Sequence, residues 1–169
     1  MRIWENSGDL LLSELLPWCL ERGAVDTLLL SSHQSFGKSG KGEYHGAVDP
    51  NTRKILGHNL IACFQARGWP GTKLIKHKGR VYVANFDAQL ALMMTKIEDS
   101  LFNWLNVRDK ALPEDICLFK RGERGPVFVS VTHERDAWIL AETCPPGFTA
   151  SSDRPEDLCI WPGKYFCRI

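Results

Sequence analysis

Apolar residues along this chain recur in two rhythms, a helical one near the start and in the middle and a strand-like one in between and after. Leu10, Leu11, Leu12, Leu15 and Leu16 supply a wide apolar face, with Ser7 placed to cap a helix whose first turn carries Asp9. Pro17 interrupts that face, which predicts either a kink or a restart with Pro17 at the first helical position, ending at Gly23. Residues 24–31 (AVDTLLLS) read as a buried strand, and residues 32–46, with four glycines and three serines, as a surface loop.

Residues 48–67 carry conflicting signals. Asp49-Pro50 is a helix start and Arg67-Gly68 a helix stop, yet 48–55 also reads as two short strands around a turn. Because Gly57 weakens one long helix, the expectation is a turn over 48–56 and a helix over 58–67. After Trp69-Pro70-Gly71, residues 72–86 alternate on both sides of Lys78-Gly79, which predicts a hairpin. Asp87 then caps the clearest periodic stretch: Leu90, Met94, Ile97, Leu101 and Trp104 fall on one face of a helix over 87–105. Residues 116–119, 127–133 and 137–142 predict an antiparallel meander, and the proline-rich tail from Cys144 is expected on the surface. These elements predict an α+β fold: a single domain over 1–169 with a mostly antiparallel sheet packed on a long central helix (87–105) and an N-terminal helix.

Composition narrows the class. At 169 residues and 44% hydrophobic, the chain is long enough to bury roughly 70% of its unfolded surface without a disulfide or metal staple. It has no apolar run of bilayer-spanning length, and Glu5, Asp9, Glu14 and Glu21 break the apolar start that a secretory signal would need. The expectation is a cytoplasmic protein with no membrane partner. Cys19, Cys63, Cys117, Cys144, Cys159 and Cys167 lack metal-knuckle spacing, so reduced thiols with neither metal nor cofactor are expected.

Charge changes the picture more. The whole chain has 21 basic and 20 acidic residues, but residues 33–80 hold nine of the basic ones (Lys38, Lys41, Arg53, Lys54, Arg67, Lys73, Lys76, Lys78, Arg80) and only Glu43 and Asp49 against them. His33, His45, His58 and His77 lie there too. Clustered cations bind polyanions by releasing condensed counterions, and Phe36, Tyr44, Phe64, Trp69 and Tyr82 are interleaved as candidate stacking rings. A solvated hairpin with lysines guarding an edge strand accounts for much of the same pattern.

Reactive motifs are weaker. Ser32-His-Gln-Ser-Phe-Gly37-Lys38-Ser39 matches a phosphate loop except at its first position, but Gly40, Gly42, Gly46 and Pro50 follow where that motif needs a helix. What survives is a nest of amides beside Lys38, Ser39 and Lys41. His33 and His45 with a lysine form the parts of a metal-independent RNase, provided they meet. His133-Glu134-Arg135-Asp136 reads as a solvated turn, and the pairs Glu98-Asp99 and Glu114-Asp115 face no expected cleft.

Two functional readings follow. One is nucleic-acid or phosphate-ligand binding through Lys38, Ser39, Lys41, Lys73, Lys76, Lys78, Arg80, His33 and His45. The other is a protein-interaction module of adaptor or inhibitor type, anchored by Trp69 and Trp161 in their Trp-Pro-Gly turns, with a protein partner.

Overall fold

The structure, a computed structural model, describes residues 2–4, 11–22, 25–32, 50–75, 78–106, 113–123, 125–140 and 149–151. The chain runs β1 (Arg2–Trp4), α1 (Leu12–Glu21), β2 (Thr27–Ser32), α2 (Pro50–Leu56), β3 (Leu60–Ala66), β4 (Gly68–Trp69), β5 (Thr72–Lys73), β6 (Gly79–Asn85), α3 (Ala88–Ile97), β7 (Asp115–Phe119), β8 (Pro126–Val131), β9 (Asp136–Ile139) and β10 (Thr149–Ser151). Eight strands form one sheet in the order β10-β1-β9-β8-β7-β2-β6-β3, with every pairing antiparallel, while β4 and β5 form a separate two-stranded hairpin. The α+β class and the antiparallel sheet are therefore as expected.

Both faces of the sheet are buried. Leu28, Leu30, Tyr82, Ala84, Ile116, Leu118 and Phe128 pack on one face against Leu12, Leu15 and Leu16 of α1 and Leu90 and Met94 of α3. Leu29, Val81, Val83, Cys117, Phe119, Val129, Val131 and Trp138 point to the other face and meet Trp69 and Leu74. Strands buried on both sides read as unbroken apolar runs, which is why TLLLSS, DICLF and PVFVSV show little alternation.

Several expectations are corrected. Residues 50–56 are helical rather than a turn, and 60–66 form a strand rather than a helix. Gly57, at φ +51, takes the left-handed conformation that stops α2, and LIACFQA then satisfies its backbone against β6. The apolar run fits either period, so tertiary pairing decides it. Among the described residues the expected hairpin about Lys78-Gly79 does not form: β6 pairs with β3 and β2, and residues 72–73 fold back on 68–69. The long helix over 87–105 ends at Ile97; a 3-10 segment (Leu101–Asn106) follows. Leu90, Met94 and Leu101 are fully buried, Ile97 is half-buried against them, and the side chain of Trp104 lies outside the described residues.

Helix α1 passes through Pro17 without restarting. Its first turn is capped from far away: the Asp99 backbone carbonyl accepts from Leu12 N, and its carboxylate accepts from Ser13 N at 2.7 Å and Ser13 Oγ at 2.8 Å. Ser7 and Asp9 lie outside the described residues. Asp87 caps α3 as expected, accepting from Leu90 N at 2.8 Å. Strand β1, which the pattern of apolar residues did not reveal, joins β9 to β10.

Candidate anion-binding flank

Between Pro50 and Phe86 the sequence holds no aspartate or glutamate. The fold places this acid-free stretch at and around one edge of the sheet: α2 packs on the helix-covered face, β3 is the outermost strand beside β6, and the β4–β5 hairpin packs on the other face. Strand pairing brings the backbone positions of three of its cations near one another. Ala66 faces Gly79, which sets Arg67 beside Lys78; Gly68 faces Lys73, and Leu74 N donates to the Arg67 carbonyl at 2.8 Å. Arg67, Lys73 and Lys78 are all exposed, and none makes an ion pair among the described residues. At the opposite end of β3, Arg53 and Lys54 of α2 and His58 of the Gly57–Asn59 turn are also exposed. Arg53, Lys54 and Arg67 are contributions that motifs alone do not indicate, although their charges are visible in the acid-poor count.

The expected site residues divide. Lys73 and Lys78 lie at this corner, but Arg80 is only 8% exposed and points to the helix-covered face with Tyr82, next to Cys63. Trp69, expected as an exposed anchor, is 4% exposed instead. Its indole Nε1 donates to Asp115 Oδ2 at 2.7 Å, Thr72 Oγ1 donates to the same oxygen at 3.3 Å, and Thr132 N donates to Oδ1 at 2.9 Å. A buried carboxylate taken up by three donors is a structural staple holding the hairpin on the sheet. Of the rings offered for stacking, Tyr82 is also buried, and Phe64 is partly buried against the second-face core. Lys38, Ser39, Lys41, Lys76, His33, His45 and Trp161 lie outside the described residues, so the RNase arrangement of His33 and His45 and the near phosphate loop do too.

Other candidate chemistry resolves into structure. Residues 133–135 are exposed, with Arg135 at φ 56 ending a 3-10 turn and its guanidinium 5.4 Å from the Phe102 ring centre. Glu98 and Asp99 are used in capping: Glu98 Oε1 accepts from Ser100 N at 2.9 Å, and Asp99 caps α1. Cys19, Cys63 and Cys117 are unpaired, and no group of three metal-ligating side chains occurs among the described residues. Burial pushes the Cys19 thiol up to about 12. It raises Cys63 as well, with the Arg80 guanidinium pulling the other way. Cys117 is raised well above its ordinary value by burial and then by the Asp115 carboxylate, against a backbone hydrogen bond from Ser130. No helix among the described residues is long and apolar enough to cross a membrane.

No protein-family model, curated protein or solved structure matches this chain.

Proposed function

We propose that this flank binds a phosphate-bearing polyanion, nucleic acid or a phosphate ligand, with the corner formed by Arg67, Lys73 and Lys78 as its centre. The observation that carries this reading is that backbone pairing brings these three exposed positions, from three separate pieces of chain, into one region of a stretch that holds no acid. Cations concentrated in one region attract a polyanion, whose binding releases condensed counterions. Lys38, Ser39, Lys41, Lys76, His33 and His45 belong to the same proposal through charge and glycine-rich context alone. The interaction-module reading loses support at Trp69, whose ring and N–H are both used internally.

The test is fluorescence anisotropy with a labelled oligonucleotide over a salt series. Arg67→Ala/Lys73→Ala/Lys78→Ala should weaken binding and make the plot of log affinity against log salt shallower by about 0.7 to 0.9 for each phosphate no longer neutralised. Lys38→Ala/Lys41→Ala should act in the same direction. The melting temperature should hardly move, because exposed cations contribute little to stability. A wild-type protein with no measurable affinity at low salt would refute the proposal.

A further inference from the structure

Strand β3 closes one end of the eight-stranded sheet, where it pairs with β6 and with no other described strand. Which of its backbone groups face outward follows from parity, because residues opposite one another in an antiparallel pair alternate between exchanging hydrogen bonds and turning them away. Phe86 N donates to the Asp26 carbonyl at 2.8 Å, and the register of β2 with β6 carries the same parity to the Leu30–Tyr82 and Ser32–Arg80 pairs. Tyr82 and Arg80 thus direct their N–H and C=O groups to β2. Opposite them on β3, Cys63 and Gln65 turn theirs outward, while Ala62, Phe64 and Ala66 turn theirs to β6. A sheet edge is usually blunted by charge, by proline or by shortness. At the other end of the sheet β10 is three residues long, but β3 runs for seven, LIACFQA, with neither charge nor proline and with Ile61 exposed.

We infer that β3 is a self-association edge, and that its occupant is β3 of a second copy of this chain, running antiparallel about a two-fold axis at Phe64. In that register Cys63 stands opposite Gln65 of the second copy and Gln65 opposite its Cys63, so the two pairs exchange two hydrogen bonds each and every outward group of both residues is satisfied. The row ends there. Beyond it the Arg67 carbonyl already accepts from Leu74 N, and the other end is interrupted by the irregularity between Leu60 and Ala62. Charge selects the orientation. A parallel pairing would set the Arg67, Lys73 and Lys78 regions of the two copies side by side, whereas this one puts Arg67 opposite Ile61 of the second copy. The two Arg67 positions then lie roughly 20 Å apart at about 3.3 Å per residue, twice the screening length of about 10 Å at 0.1 M salt. An acid-bearing strand of another protein would be drawn to Arg67, but β3 itself offers no charge to hold it in register. A neutral strand fits its own copy, in the closed two-fold symmetry that most homo-oligomers adopt.

This contact goes beyond the proposed anion binding and needs no phosphate ligand, so it is tested at about 0.5 M salt, where polyanion binding is suppressed. Sedimentation velocity of the whole chain from about 1 μM to about 1 mM should show monomer passing to dimer. Gln65→Pro removes only an outward N–H, so the sheet keeps its own ladder and the melting temperature should hold, while the dimer dissociation constant should rise about tenfold or more. Gln65→Lys makes the same test with an edge-guarding charge should the proline lower the melting temperature. Hydrogen exchange should show the Cys63 and Gln65 amides gaining protection as concentration rises. A protein monomeric over the whole range, a dimer indifferent to Gln65→Lys, or protection gained only outside β3 overturns the inference. A dimer that binds no oligonucleotide at low salt would refute the anion-binding proposal and leave this one standing.

Discussion

Asp115 joins three parts of the fold from a fully buried position. Its two carboxylate oxygens take hydrogen bonds from Trp69 and Thr72 of the hairpin and from the Thr132 amide at the end of β8. Asp115→Ala would leave those donors buried without it and should cost about 3 to 5 kcal/mol, in the range seen when one partner of a buried charged network is removed. Urea unfolding followed by tryptophan fluorescence measures this, and a loss below about 1 kcal/mol would show that the hairpin is held by its apolar contacts alone. The cysteines give a second residue-scale expectation, in pH. A thiol raised to about 12 in the fold stays protonated there while the unfolded chain ionises near its ordinary value of 9.0. Stability from Cys19 is therefore complete below about pH 9 and is lost as pH climbs toward the folded value, by about 1.4 kcal/mol per pH unit across that window. Chemical denaturation at pH 8 and pH 10 should show this fall, and Cys19→Ala should make it smaller. In the native protein a thiol reagent should label half-buried Cys63 ahead of Cys19 and Cys117, so Cys63→Ser should remove a fast-reacting group.

Among the elements, what the sequence made legible depended on whether its local signals agreed. Helix α3 was legible because Asp87 caps it and Leu90 and Met94 follow at helical spacing. Its expected continuation failed after Ile97, although Leu101 sits in the core as the spacing required. Apolar spacing survives a break in the helix when the following 3-10 segment packs on the same neighbours. Leu101→Ala should cost about 2 to 5 kcal/mol as a fully buried leucine truncated to a cavity, read from denaturant midpoints; an effect below about 0.5 kcal/mol would contradict its burial. The exchange of helix and strand at 50–66 was not legible. Gly57 has the look of a weak point in a helix, whereas its positive φ is the place where the helix stops and the strand begins. Capping across long separations was equally hidden, because Asp99 and Ser13 are far apart in the chain. Asp99→Ala should lower stability by about 1 kcal/mol, the usual worth of a helix cap, seen as a drop in Tm with little change in helical circular dichroism. Gly68→Ala should be worse tolerated than its partly exposed position suggests, since a Cβ there would lie 2.5 Å from the Thr72 carbonyl oxygen.

At the scale of the whole molecule, the charge segregation was the part of the candidate site that the sequence did disclose. It did not disclose which cations share a region, because the backbone positions of Arg67, Lys73 and Lys78 are neighbours only through the pairing of β3 with β6 and β4 with β5. Nor did it disclose that Arg80 and Trp69 turn inward, since a cation and an indole in turn-rich sequence look exposed until their partners are known. Strand β1 was missed for a related reason: three residues have no period of their own. Their partners are Ala137 and Trp138 in β9 and Thr149 to Ser151 in β10, so this strand pairs with segments more than 130 residues further along the chain. β2, β6 and β3, by contrast, pair with one another across a much shorter stretch of chain. Closing so large a loop carries an entropic cost with no local contact to offset it early. The β1–β9 seam is therefore expected to form late in refolding and to open first in native-state hydrogen exchange, with the amides of β1 losing protection well before those of β2.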